Sequence, residues 1–232
     1  MVGAGRSTCR RGRPERDVVG CRSGDHLEHM HEAILIIGPT GSGKTPLGEE
    51  LERTGWRDRR CVHVDFGEQM RRITTRERLP AGFTPGDRDT LRDVLEAGRL
   101  LTDEEFHLVG TILDLVAREK SLAAADLVIL NGVPRRIGQA RDLEALVEIV
   151  EVIALEAGPD IITERIRRNS GGDRAGRIDD LPARIRDRLA RYEAQTRPLI
   201  DYYRRTGVPV RIIPVGIATV AGEVAAVLDP GP

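Results

Sequence analysis

Five stretches of this chain, 33–37, 61–65, 127–130, 150–155 and 208–213, are rich in Val, Ile and Leu, and their apolar residues run together instead of alternating. A strand with one face in water alternates apolar and polar positions. A near-continuous apolar run predicts a strand covered on both faces, the condition of a parallel sheet inside an α/β domain. The segments between the runs are long and carry helical spacing, as Leu47-x-x-x-Leu51 does after the first run. The pattern therefore predicts an α/β fold with a doubly wound, five-stranded parallel sheet flanked by helices. Ligands of such sheets sit beyond the carboxyl ends of the strands. Two insertions interrupt the alternation. The first, about 67–118, holds a Pro/Gly-broken patch at 79–86 and two amphipathic helices near 87–97 and 103–117. The second, 168–181, is rich in Gly, Arg and Asp; with few apolar residues to bury, it is expected to pack loosely and move. No internal repeat is present.

The first apolar run leads directly into Gly38-Pro39-Thr40-Gly41-Ser42-Gly43-Lys44-Thr45, which has the spacing of a P-loop. Its glycines let the backbone curl so that successive N–H groups point inward at phosphates. Lys44 would reach the β- and γ-phosphates of a nucleotide, and the Thr45 hydroxyl would face Mg²⁺. The following helix adds the positive end of its dipole. A strand before the motif and a helix after it supply the context that a chance match lacks, so nucleotide binding is expected here.

Composition narrows the reading. The chain has 232 residues, 40% of them apolar and 31% charged, which suits one soluble domain. Aromatics are only 3%, so the core must be aliphatic. A net charge of −1 argues against a nucleic-acid partner bound by broad electrostatics. No apolar run approaches the roughly 20 residues that a membrane helix needs. Cys9, Cys21 and Cys61 show no metal-ligand spacing, and their odd number fits a reducing, cytoplasmic setting. Residues 1–29 carry six arginines against four acids and lack periodicity, so 1–32 reads as a disordered basic tail. Met30 is the expected natural start, because the first strand would then follow almost at once. His26, His29 and His31 are read as tail histidines with no specific ligand.

Moving a phosphoryl group between two polyanions needs positive charge converging from separate segments, and water kept out. Arg71, Arg135, Arg165, Arg168, Arg177 and Arg188 follow the strands or flank the second insertion, where they could do this. The segments Gly67-Glu68-Gln69-Met70-Arg71, Gly98-Arg99-Leu100-Leu101-Thr102, Asn131-Gly132-Val133-Pro134-Arg135-Arg136-Ile137-Gly138-Gln139 and Gly176-Arg177-Ile178-Asp179-Asp180, in that order after the P-loop, resemble the adenylate kinase family. The stretch from Arg188 to Tyr203 is similar to the long helix that follows the lid in that family. The likeness spans about 33–228 and makes the two insertions a nucleoside-monophosphate-binding insertion and a short lid, about 169–180.

The resemblance implies roles. Arg71 and Arg135 would hold the acceptor's phosphate, and Leu101 and Gln139 would read its base, with Phe66 and Gly67 beside it. Residues 38–45 and Arg165 would hold ATP. Lys44, Arg135, Arg168, Arg177 and Arg188 would act on the transferring group. Mg²⁺ would accompany ATP at Thr45 and, through water, Asn131; a lid without cysteine implies no structural zinc. The implied partners are ATP and a nucleoside monophosphate, with no nucleic acid, no membrane and a monomeric state.

The chain departs from the family at four places. Its P-loop ends Lys44-Thr45-Pro46 in place of Gly-Lys-Gly-Thr. Asn131 replaces an acid, and Asn169 an arginine for which the neighbouring Arg168 could substitute. Phe66 replaces a small hydroxyl residue and would alter the acceptor-base pocket. Arg188 is chosen over Arg184, Arg186 and Arg191 by register alone. These readings favour a nucleoside monophosphate kinase with AMP as the leading acceptor, then UMP, CMP or dCMP. The rivals are a kinase for a small alcohol or acid, and an ATP-binding protein without turnover. A nucleic-acid module resting on the Arg-rich tail is a distant third.

Overall fold

The computed structural model describes residues 30–172 and 182–229, and in it all five apolar runs are strands of one sheet. They are β1 (His31–Ile37), β2 (Cys61–Asp65), β3 (Leu127–Asn131), β4 (Val147–Glu156) and β5 (Val210–Pro214). The helices described are α1 (Lys44–Thr54), α2 (Phe66–Thr75), α3 (Pro85–Ala97), α4 (His107–Glu119), α5 (Ile137–Leu143), α6 (Pro159–Arg168), α7 (Pro182–Arg191), α8 (Pro198–Arg205) and α9 (Ala221–Leu228). The sheet order is β2-β3-β1-β4-β5 and every neighbouring pair is parallel.

Burial along β1 explains the unbroken apolar pattern. Ala33, Leu35 and Ile37 join a core with Val62, Val64, Val128 and Leu130. Ile34 and Ile36 join a second core with Leu127, Ile129 and Leu155. Successive side chains of a strand point to opposite faces, so a strand walled by helices on both sides must be apolar throughout. Leu47 and Leu51 of α1 and Val224 and Leu228 of α9 close the second core. Ile73 of α2, Leu91 of α3, Ile112 of α4 and Leu199 of α8 close the first.

Element edges differ from expectation for local reasons. β1 and β4 reach further toward their amino ends because His31 pairs with Val147, a backbone contact that side-chain hydropathy does not report. α3 begins at Pro85 because Thr84 caps it: the hydroxyl accepts from the Asp87 amide at 3.1 Å, while the Asp87 carboxylate accepts from the Thr84 amide at 2.8 Å. The second insertion helix starts at His107, four residues late, because Glu105 folds back to accept from the Thr102 amide and the Arg99 guanidinium.

The helix expected from Arg188 to Tyr203 is not α-helical throughout. α7 ends at Arg191, a π-helical turn covers Tyr192–Thr196, and α8 starts at Pro198. Proline has no amide hydrogen and its ring clashes with the carbonyl four residues back. One wider turn, closed by the Arg197 amide on the Tyr192 carbonyl at 2.8 Å, resolves the conflict. No helix among the described residues is long and apolar enough to cross a membrane.

Candidate active site

A cavity of about 230 Å³ opens at the carboxyl ends of β1, β2 and β3. The chain leaves β1 and β3 in opposite directions across the sheet, which creates the crevice where ligands of such folds sit. The P-loop forms one wall. Gly43 has φ 99, in the left-handed region that residues with a β-carbon avoid. This sharp turn lets α1 begin at Lys44, with the positive dipole end of its first turn at the cavity. Pro46 sits in that first turn, where no intrahelical hydrogen bond is lost. The Lys44 ammonium donates to the carbonyls of Gly38 and Pro39, each at 2.8 Å, and so is held against the loop.

Beside Lys44, three side chains from three elements meet. The Thr45 hydroxyl donates to Asp65 Oδ2 at 2.6 Å and accepts from Asn131 Nδ2 at 3.0 Å. Asn131 Nδ2 also donates to Asp65 Oδ2 at 2.9 Å. Asp65 and Asn131 lie opposite each other in the β2–β3 register, which is why both reach the same hydroxyl. Asp65 Oδ1 accepts from the Glu68 amide at 3.0 Å and caps α2. The described residues hold no group of three His, Cys, Asp or Glu side chains suited to a metal. A hydroxyl and a carboxylate are, however, hard oxygen donors that fit Mg²⁺ arriving with phosphate ligands of its own. The fit is to a nucleotide-borne ion.

The opposite wall is cationic. Arg71, Arg135, Arg188 and Arg191 line it. Burial, then Arg191 and Arg188, push the Arg135 guanidinium down to about 10, still protonated at neutral pH. A cluster that opposes its own charge favours an anion between its members. The π-helical turn places Thr196 against Arg135: its hydroxyl donates to the Arg135 carbonyl at 3.0 Å and accepts from Arg135 Nε at 3.3 Å. Gln139, 1% exposed, is locked on both ends of its amide. Oε1 accepts from the Arg135 amide at 2.8 Å and Nε2 donates to the Leu101 carbonyl at 3.0 Å. Arg136 also serves the site indirectly, donating to that carbonyl at 2.9 Å and pairing with Asp103 at 2.7 Å.

The structure thus gathers Thr40, Gly41, Gly43, Lys44, Thr45, Gly67, Arg71, Leu101, Asn131, Arg135, Gln139 and Arg188 around one cavity, as the sequence anticipates. Other anticipated residues lie elsewhere. The Phe66 ring is 1% exposed in the first core and does not line the cavity, because the first turn of α2 directs it under the sheet. Arg168 lies outside the cavity; it pairs with Glu164, one helical turn back on the same face of α6. Arg165 is buried at 4% exposure and donates to the carbonyls of Gly41, Ile217 and Thr219 at 3.1, 3.3 and 3.0 Å. With Ser42 and Val220 it lines an adjoining cavity of about 190 Å³. Arg177, most of the lid and most of the N-terminal tail lie outside the described residues.

Three residues of the site escaped the sequence reading. Asp65 could have been found by asking which polar residues end a parallel strand, and Arg191 by its position one helical turn after Arg188. Thr196 had no signal, because the π-helical turn that aims it is a tertiary adjustment.

The family model for adenylate kinase matches residues 36–208. An adenylate kinase of Stenotrophomonas maltophilia (strain K279a) is 30% identical over 195 residues, covering 79% of this chain and 91% of that protein. One from Synechococcus sp. (strain WH7803) is 30% identical over 189 residues, with 79% and 90% covered. Adenylate kinase isoenzyme 1 of Rattus norvegicus is 27% identical over 202 residues, with 84% and 93% covered. A parallel five-stranded sheet, a P-loop at its switch point and a model match across most of the chain lead to one conclusion: this chain belongs to the adenylate kinase family and is a phosphotransferase.

Proposed function

We propose that this nucleoside monophosphate kinase moves the γ-phosphoryl group of ATP to AMP. The observation that carries the acceptor is the locked amide of Gln139. A primary amide offers two N–H donors and two acceptor lone pairs. Leu101 and the Arg135 amide fix its orientation and use one of each. One donor and one acceptor remain, and the amide cannot flip without breaking both bonds. That pair complements a base edge carrying a ring-nitrogen acceptor beside an amino group, as adenine and cytosine do. Uracil and guanine present a ring N–H beside a carbonyl and would need the flipped amide. CMP is therefore the second acceptor in rank, ahead of UMP.

The acceptor's phosphate would lie between Arg71 and Arg135, and the triphosphate of ATP along residues 38–45. The apolar cavity beside Arg165, bordered by residues 215–220, would take the donor base. In the transfer an acceptor phosphate oxygen bonds to the γ-phosphorus as the bond to the β,γ-bridging oxygen breaks. No general base is required, because that oxygen is already ionised. Lys44, Arg135 and Arg188 stabilise the charge on the moving group, and a closed lid over 169–180, carrying Arg177, would keep water out. Mg²⁺, which adenylate kinases use with ATP, would offset phosphate charge, with Thr45 and Asn131 facing it.

The test is ADP formation from ATP·Mg²⁺ with AMP, CMP, UMP, GMP and dCMP in turn, beside Lys44→Ala. Turnover with AMP ahead of CMP, and little with UMP or GMP, is expected, with a loss of at least about 10²-fold in the variant. UMP or GMP as best acceptor would overturn the Gln139 argument. ATP binding without transfer to any acceptor would overturn the kinase reading.

A further inference from the structure

Asp65 stands apart in the cavity by its sign. Lys44, Arg71, Arg99, Arg135, Arg188 and Arg191 line the walls, and among the described residues Asp65 is the one acid facing them. It is 8% exposed. Its hydrogen-bond partners are all neutral: the Thr45 hydroxyl, the Asn131 amide and the backbone amide of Glu68. Among the described residues it forms no ion pair. Carboxylates withdrawn from water in proteins are paired with a cation or ligate a metal. Three neutral donors meet part of that need; the remainder points to a cation that arrives with the ligand.

The hydrogen bonds show how Asp65 prepares for it. A hydroxyl has one proton and two lone pairs. The Thr45 proton is committed to Asp65 and one lone pair accepts from Asn131, so the second lone pair is left for a cation. Without a carboxylate at 65, that proton would be free to rotate toward the ion and block it. Asn131 is the neutral half of the arrangement. Its nitrogen lies 2.9 Å from Asp65 Oδ2, so an acid at 131 would set two carboxylates within hydrogen-bonding distance, and one of them would be driven to protonate. The paired ends of β2 and β3 thus accommodate one negative charge, and this chain carries it on β2.

We propose that Asp65 is the carboxylate of the metal site: it orients the Thr45 hydroxyl and supplies the negative charge that faces the Mg²⁺ of ATP·Mg²⁺, with Asn131 as its uncharged spacer. The proposal rests on the reading that the P-loop binds ATP, and it is independent of which acceptor is used.

The test uses the full chain and Mn²⁺ as probe, in four forms: wild type, Asp65→Asn, Asn131→Asp and the double exchange. Mn²⁺ affinity of the protein–ATP complex is read from the electron paramagnetic resonance signal of free Mn²⁺, and metal-free ATP affinity by calorimetry in a chelator. Asp65→Asn should weaken Mn²⁺ binding about tenfold or more. It should leave metal-free ATP binding equal or tighter, because a negative charge beside the phosphates has gone. The double exchange, with the acid moved to β3, should recover Mn²⁺ affinity to within about threefold of wild type, and Asn131→Asp alone should not exceed wild type. Asn caps a helix as well as Asp does, so a purely capping role for Asp65 would move neither affinity, and that result overturns the proposal. If Asp65→Asn does not fold, Asp65→Ser keeps a capping oxygen without the charge and must show the same loss. Wild-type protein that binds no ATP would overturn this proposal and the kinase reading together. Asp65-dependent Mn²⁺ binding without phosphoryl transfer would sustain the proposal and overturn the kinase reading alone.

Discussion

Burial and the neighbouring Arg191 and Arg188 hold the Arg135 pKa at about 10, while Thr196 and Gln139 bond its main chain and fix its direction. Such a cation costs stability where it stands and repays it only when an anion enters. Arg135→Ala should therefore lower kcat/KM for the monophosphate by about 10²- to 10³-fold without lowering the unfolding midpoint. Arg135→Lys should fall between the two, because it keeps the charge but loses the planar fork that matches phosphate. Steady-state kinetics beside thermal unfolding checks both; a variant with unchanged kinetics would remove Arg135 from the site. Arg135 was legible in the sequence because Gly-Val-Pro before it marks a turn at a strand's end. Phe66 was not, since a position beside a site in the chain says nothing of which way α2 turns its ring.

At the scale of elements, α1 lies against β2 so closely that one residue type decides the contact. A β-carbon added at Gly48 would stand 2.3 Å from His63 Nε2 and 2.4 Å from its Cδ2. His63 is 5% exposed, so its ring has no room to swing aside. Alanine raises helix propensity by up to about 1 kcal/mol, but overpacking of this kind costs about 1–3 kcal/mol. Gly48→Ala is thus expected to destabilise the protein, read as a fall in the urea midpoint, and to be partly rescued by a smaller residue at 63. Equal or greater stability would refute the contact. The π-helical turn before α8 makes the converse point. Thr196→Val removes both hydrogen bonds to Arg135 while keeping volume, and is expected to lower kcat/KM about tenfold or more with little change in melting temperature. Helical periodicity anticipated neither feature: one is a contact between two packed elements, the other a local accommodation of Pro198.

For the whole molecule, ligand and proton binding should both appear in the unfolding equilibrium. ATP at about 100 times its Kd should add about 2.7 kcal/mol of stability, and Lys44→Ala should lose most of that gain. An unfolding midpoint indifferent to ATP would count against the P-loop reading. Protons act through His63, whose pKa burial holds below the ordinary 6.5, against the opposing pull of Asp65 and Glu52 and with Lys120 adding to the depression. The unfolded chain therefore takes up a proton as pH falls through about 6.5, while the folded chain stays neutral at this ring. More protons on the unfolded state means that stability rises with pH across this window and is lost below it, by at most about 1.4 kcal/mol per pH unit for one group. His63→Gln should flatten that limb of the stability curve between about pH 5 and 6.5. The limb is separable from the loss of carboxylates such as Glu105, which its hydrogen bond to Arg99 holds at about 2. A curve unchanged by His63→Gln would refute the assignment.

The sequence by itself determined the strands, the winding and the P-loop. Apolar runs can be satisfied only between two covered faces, and Gly43-Lys44-Thr45 after such a run leaves the chain one way to turn. It also pointed to Arg71, Arg135 and Gln139, whose local contexts are contiguous in the chain, and to Arg188 by register alone. Only the tertiary structure decided the rest: that Asp65 and Asn131 share one hydroxyl across paired strands, that Arg191 joins the cations, that Thr196 is aimed by a π-helical turn, and that Phe66 and Arg168 face away. The physical reason is common to all of them. Hydrophobic periodicity records how a residue meets water, whereas a site depends on how side chains from distant segments meet one another.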